Sequence, residues 1–391
     1  MSWQSNKSKY APSITLVLLG LLIAPFRALS LEEGFAPSVT VNLLQDNNVY
    51  RTTDEISDSI TSVAPTFVYN ELYGKQAIKA QYKGDYAFFS DNSSLNYFNH
   101  DLLVMALLDH SYSLSSVFTA KYQNKIEQPG TTNALTSLLT EFNQRSIAEL
   151  SSKVLYGAQK SKGQIVASYA QSKFRYENNN QEFRDYDREK IAGTFFYRIA
   201  PKTRFLLEAN MVNLDYINNT NFDFSSKQKS YLAGVEWNAT AVTSSVFKIG
   251  YQDVAYVNDV ISDLSGLSYF LDMFWKPNTY SLVKIGASRA ARESAEQSLG
   301  GFLSNEYDLD VEHEFTRRTK LSVSYQYIEY DFDNNQSRKN KSQNISITLK
   351  YQSKRWLQMH IGYEVIKRES TSQQYEFDAR VVNAGLVMSF D

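Results

Sequence analysis

The sequence predicts an all-β protein: a single transmembrane, antiparallel up-and-down β-barrel of about 18 strands. Three observations predict it. Segment after segment alternates apolar and polar residues with a period of two, the pattern of an extended strand with one oily and one wet face. The closing stretch, Tyr375 to Phe390, ends on that alternation, with Val382, Ala384, Leu386, Met388 and Phe390 on one face and Asn383, Gly385, Val387 and Ser389 on the other. Past the N-terminal leader no apolar run is long enough for a helix to cross a bilayer, which excludes helical membrane spans.

The leader occupies residues 1–30. Lys7 and Lys9 precede an apolar run from Ile14 to Ala24, and Ala28-Leu29-Ser30 supplies the small residues that a signal peptidase reads, so cleavage is expected after Ser30. The run is too short for a comfortable membrane span, and Pro25 and Arg27 interrupt its end. Removing Lys7, Lys9 and Arg27 takes the 40 basic residues to 37 against 42 acids, a formal charge of −5 for residues 31–391.

Residues 31–391 show no linker and no shift in composition, and they read as one domain. The chain has no cysteine, which suits passage through an oxidising envelope. Its 27 Tyr and 23 Phe are more informative, because rings with one wet end suit the two water–lipid boundaries of a barrel.

In chain order, Pro37 to Arg51 alternates Val39, Val41 and Leu43 with Thr40 and Asn42, and Ile60 to Asn70 places Val63, Pro65, Phe67 and Tyr69 on one face. After a connection at Glu71 to Lys75, Ile78, Ala80, Tyr82, Tyr86 and Phe88 stand opposite Lys79, Gln81, Lys83 and Asp85. Leu102 to Leu108 is apolar on both faces, but its place between a loop and a turn favours a strand. Further segments run from Leu114 to Lys125, Ser146 to Tyr156, Gln164 to Tyr176, Ile191 to Ile199, Arg204 to Tyr216, Tyr231 to Ala239, Ser245 to Tyr256 and Ser265 to Trp275, the last ended by a turn at Lys276 to Thr279. Val283, Ile285 and Ala287 return. Tyr307, Leu309, Val311, His313 and Phe315 then alternate with Asp308, Asp310, Glu312 and Glu314, a split that needs water on the acidic side. Leu321 to Tyr327, Ile345 to Tyr351 and Leu357 to Val365 precede the closing strand.

Short and long connections alternate, so with both termini on the periplasmic side the short turns fall inside and the long loops outside. Open sheet edges cannot survive in lipid, where each unpaired backbone group costs several kcal/mol, so the first strand must pair with Tyr375 to Phe390. A ring of this size is too wide for side chains to fill and leaves an aqueous lumen.

The opening Pro37 to Arg51, with Asp46-Asn47-Asn48-Val49-Tyr50-Arg51, followed by Ile60 to Asn70 with its central Ala64-Pro65, resembles the start of the outer-membrane β-barrel porins encoded with exopolysaccharide synthesis genes. The C-terminal aromatic is similar to the signal read by the bacterial barrel assembly machinery, with Phe390 penultimate rather than last. The resemblance implies the outer membrane of a Gram-negative bacterium, in contact with its lipid and lipopolysaccharide. It also implies an 18-stranded barrel carrying a secreted or capsular polysaccharide chain received from a periplasmic polysaccharide-export protein. A diffusion or substrate-selective porin for small solutes, and a non-conducting surface or adhesion barrel, are the alternatives.

By alternation the lumen is lined by Lys79, Gln81, Lys83, Lys121, Lys153, Lys190, Arg198, Glu236, Lys248, Asp272, Lys284, Asp308, Asp310, Glu312, Glu314, His360 and Glu364. The earlier strands supply mostly bases and the later ones more acids, so the channel is expected to carry a transverse field; the plain alternative is a generic solvated wall. Interior Phe196, Phe270 and Phe274 either stack on sugar rings or pack against a folded-in loop, with packing the favoured expectation. The long connection Glu127 to Asn143 carries Asn133 ahead of helically spaced Leu135, Leu138, Leu139 and Phe142, with Glu141 beside them. By analogy with general porins it either folds inward as a constriction or packs among its neighbours as a surface helix. With only His100, His110, His313 and His360, no Ser-His-acid or metal-ligand spacing is visible, and no enzyme activity, cofactor or metal is expected. Nucleic-acid motifs are absent too.

Overall fold

The computed structural model describes residues 33–131, 140–158, 160–218, 223–240, 242–294, 301–332 and 338–390. The expected leader, residues 1–30, lies outside them. The described residues form eighteen strands: β1 (Gly34–Asp46), β2 (Asp58–Tyr73), β3 (Gln76–Phe89), β4 (Tyr97–Asp109), β5 (Leu114–Ile126), β6 (Gln144–Tyr156), β7 (Gly163–Tyr176), β8 (Tyr186–Ala200), β9 (Thr203–Tyr216), β10 (Ser226–Thr240), β11 (Thr243–Tyr256), β12 (Leu264–Asn278), β13 (Ser281–Glu293), β14 (Gly301–Thr316), β15 (Thr319–Phe332), β16 (Arg338–Lys354), β17 (Leu357–Ser370) and β18 (Phe377–Ser389).

Each strand pairs antiparallel with its sequence neighbours, and β1 pairs with β18 from Ser38↔Ser389 to Asp46↔Val381, so the sheet closes on itself. Closure leaves no edge, which is the condition for a sheet to live in lipid. The two faces then separate as the alternation requires. Ile78, Leu309, Ile347 and Ile361, each at least 40% exposed, point outward, and their chain neighbours are half-buried or buried on the inner side. Trp275, Tyr280, Phe315 and Trp356 ring the outside near the short turns, and Tyr269, Tyr307 and Tyr327 ring it nearer the long connections.

Most strands run several residues past the expected segments, as β8, β10 and β16 do, and three boundaries differ for a local reason. β1 ends at Asp46, because Arg51, with φ 55°, turns back to form an ion pair of 2.8 Å with Asp46. β12 runs through Pro277 to Asn278; the missing amide is tolerated where the β12–β13 register shifts between Trp275 and Asn278. A 3-10 turn at Gln373–Tyr375 delays the closing strand to Phe377. Leu102 to Leu108 is indeed strand, inside β4.

Candidate pore interior

Strand parity places every expected lining residue on the inner face. On β3, Lys79, Gln81 and Lys83 are half-buried between the exposed Ile78 and Phe88. Lys121 faces Glu149 in register, and Lys153 and Lys190 stand on the inner faces of β6 and β8. Arg198 donates to the Pro201 carbonyl at 2.6 Å, closing the periplasmic turn. Two ion pairs on this side are almost wholly buried: Arg204 with Glu236, and Lys248 with Glu208 at 2.9 Å. Both cations also lie over rings, Arg204 at 4.2 Å from the centroid of Phe196 and Lys248 at 5.2 Å from that of Phe270. Phe196 and Phe270 pack with Val166, Leu206 and Val246, so these rings serve as wall filler, while Phe274 stays partly exposed.

On the far side, Asp272 is half-buried, and Lys284 faces Asp310 in register. The acidic row of β14 is bonded by β15. Gln326 donates to Asp308 at 2.9 Å, Ser324 to Asp310 at 2.6 Å, and Lys320 pairs with Glu312 at 2.8 Å and Glu314 at 3.6 Å. Among the described residues no three His, Cys, Asp or Glu converge as a metal site. Near the seam, His360 donates from Nε2 to Asn42 at 2.9 Å, and Glu364 accepts from Asn344 at 2.7 Å. His313 points outward, bonded to Ser281.

At the long-loop end, described residues flanking two connections reach into the ring. Of the β5–β6 connection, Asn133, Leu135, Leu138 and Leu139 lie outside the described residues. Its described parts are firmly held. Glu127 accepts a forked pair from Arg184 at 2.7 and 2.9 Å, a Tyr176 hydroxyl at 3.0 Å and the Asn143 amide at 3.1 Å. Phe142 packs with Phe89, Leu95 and Ile126, and Glu141 accepts from Asn178 at 3.0 Å. Gly130 extends away from β5 toward the seam strands, where its carbonyl accepts from Arg368 of β17 and Phe377 of β18 lies against it.

The second inward element carried no periodic signal. β13 leaves β12 after Arg289, yet stays paired with β14 to Glu293↔Gly301, so the hairpin end leans in over its neighbours. Ala291 donates to Gln252 of β11 at 3.3 Å, and Glu293 accepts from Tyr216 of β9 at 3.3 Å and Gln228 of β10 at 2.9 Å. Phe302 packs beside it on Tyr330 and Phe332. The sequence reading also passed over Arg204 and Glu208, although β9 parity marks them as inward; Glu127 and Arg184, as loop residues, had no such signal.

A closed antiparallel ring with an apolar outside and a charged, hydrogen-bonded inside defines an outer-membrane β-barrel porin of Gram-negative type. Residues 34–390 match the family model described as "Putative beta-barrel porin 2", and the chain belongs to that family. No curated protein matches it. Among solved structures, OccK2 (OpdF) of Pseudomonas aeruginosa is similar with a TM-score of 0.51 at 8% identity, over 91% of this chain and 98% of that one. OccAB4 of Acinetobacter baumannii follows at 0.49 and 10%, covering 92% and 99%, and the siderophore receptor PirA of the same organism at 0.46 and 10%, covering 92% and 81%. At such identities the likeness is one of fold.

Proposed function

We propose that this porin is a passage for hydrophilic solutes across the outer membrane, selective by charge and narrowed at its outer mouth. The observation that carries the reading is the closed eighteen-strand ring with a polar inner face, since a ring of this width holds water unless loops fill it. Lys79, Lys121, Lys153 and Lys190 stand on β3 to β8, and Asp308, Asp310 and Glu312 on β14, where Lys284 and Lys320 partly offset them, so the wall carries charges of both signs that orient polar solutes. Small-solute diffusion suits this mouth, because the described ends of the β5–β6 connection and the end of the β13–β14 hairpin lean into it.

Export of a secreted or capsular polysaccharide is the second reading. It is supported by the resemblance of Pro37 to Arg51 and Ile60 to Asn70 to porins encoded with exopolysaccharide genes. It requires a periplasmic export protein to deliver the chain, and both mouth connections to move aside. Two measurements test the readings. Single-channel recording in planar bilayers gives discrete conductance steps for a pore and none for an adhesion barrel. Deleting the gene removes secreted polysaccharide while its synthesis continues if export is the role, and leaves secretion intact if small-solute diffusion is.

A further inference from the structure

On the lipid side of the barrel, at the level of the outer aromatic ring, one cation is held in an unusual way. Arg289 stands on the outward face of β13, in register with Tyr269 of β12 and Asn305 of β14. Those strands' outward neighbours, Leu267, Tyr307 and Leu309, are all exposed. Its guanidinium donates to Asn305 Oδ1 at 3.2 Å, a neutral acceptor, while its Nε is buried without a partner. The Tyr269 hydroxyl meets both Asn305, at 3.3 Å, and the Tyr307 hydroxyl, at 2.9 Å, so the polar edge of the pocket is built before any ligand arrives.

The row continues across β14 to β17. Asn305 faces Glu329, Glu329 faces Lys341, and Lys341 faces Glu369, which pairs with Lys367 at 2.9 Å. Lys367 in turn faces Asp378, so the row's charges balance three to three, but Arg289 itself has only the neutral Tyr269 and Asn305 in register, directly above the apolar belt of Leu309, Ile345 and Ile347. A guanidinium at a lipid boundary is costly without an anion, and its planar fork suits a phosphate.

We propose that Arg289, Asn305 and Tyr269 form a binding site for the phosphate of an outer-leaflet glycolipid, with the acyl chains lying along the apolar strip below. The site depends on the barrel's orientation in the outer membrane and not on the cargo of its lumen.

The test uses the full folded barrel in detergent, stripped of lipid and offered bis-phosphorylated lipid A, the same lipid without phosphates, or inorganic phosphate. Retained lipid is read by native mass spectrometry, and folding by heat-modifiable migration. Wild type is expected to retain the phosphorylated lipid and not the dephosphorylated one, with inorganic phosphate failing to displace it. Arg289→Ala is expected to weaken retention about tenfold, and Lys229→Ala, on the outward face of β10, to leave it unchanged. Should Arg289→Ala not fold, Arg289→Lys and Asn305→Ala carry the test, each expected to weaken retention. Equal retention by the variants, equal retention of the dephosphorylated lipid, or displacement by free phosphate overturns the proposal.

Discussion

Arg368 of β17 donates a hydrogen bond to the backbone carbonyl of Gly130, a residue 238 positions earlier that stands just past the end of β5. Between the two strands, in ring order, lie β4, β3, β2, β1 and β18, so this bond ties the β5–β6 connection to the inner wall across five strands. Arg368 also lies 5.2 Å from the centroid of Phe377, which keeps the guanidinium in place. A charged hydrogen bond of this kind contributes about 1.5–3 kcal/mol. Arg368→Ala is therefore expected to shift the mouth toward wider states on the order of tenfold or more, seen as larger and noisier single-channel steps. Traces indistinguishable from wild type would show that the tether does not limit the passage.

The root of the same connection is held by Glu127, which is 3% exposed and satisfies Arg184, Tyr176 and Asn143 together. Replacing it with Ala leaves the Arg184 charge buried without its carboxylate, at a cost of about 3–5 kcal/mol. The barrel strands do not depend on this pair, so the loss is expected to fall on the outer connections. Trypsin should then cut at Arg184 in the folded variant while sparing wild type, and equal resistance of both proteins would contradict this.

What could be read from the chain and what could not divide along a physical line. Tyr307, Leu309 and Val311 against Asp308, Asp310 and Glu312 declare a strand, its two faces and which face is wet, because the period of two is written by the solvents on either side. Pairing of the first strand with the last follows from the cost of a bare edge in lipid. Glu127 reaching Arg184, or Glu293 reaching Tyr216, depends on where two separate connections happen to meet inside the ring, and no periodicity records that. The turn at Gln373–Tyr375 and the path of β12 through Pro277 were likewise set by local backbone pairing, not by pattern. The Arg289 pocket was hidden for a different reason: parity marks it as outward, and only the register brings Tyr269 and Asn305 to it.

The inner charge rows predict a reciprocal effect on ion selectivity. Lys121→Gln, Lys153→Gln and Lys190→Gln together remove cations from one wall; Asp308→Asn, Asp310→Asn and Glu312→Gln remove anions from the other. The first set is expected to raise cation over anion permeability, and the second to lower it, each by roughly twofold or more. Reversal potentials in a salt gradient read both. A pair of sets that moves selectivity in the same direction would mean that these residues do not face the conducting path.

Orientation of β14 has its own test in adjacent residues. Leu309 is 40% exposed and faces lipid, whereas Asp310 faces inward and accepts from Ser324. A lysine at Leu309 places a cation in the hydrocarbon band and costs about 2–4 kcal/mol near its middle. A lysine at Ser324, on the wet inner face beside Asp310, should cost far less. Unfolding titrations in lipid vesicles compare the two, and a larger penalty at Ser324 would reverse the assignment of faces.

The seam that closes the ring rests on a residue with no side chain. Gly385 of β18 faces Asn42 of β1 and His360 of β17 in register, and those two side chains bond to each other across it at 2.9 Å. A Cβ at Gly385 would stand 2.3 Å from Asn42 Oδ1, 2.6 Å from His360 Cε1 and 2.6 Å from the backbone carbonyl of Val41. The side chains could swing away, but the carbonyl belongs to the strand that β18 must pair with, so a branched residue has to push β1 off. Neighbouring Ala384 points outward and its enlargement meets only lipid. Gly385→Val is therefore expected to abolish the heat-modifiable folded band in assembly assays, and Ala384→Val to keep it. A Gly385→Val barrel that assembles like wild type would mean that β1 and β18 tolerate separation there, and that closure draws its stability from elsewhere in the ring.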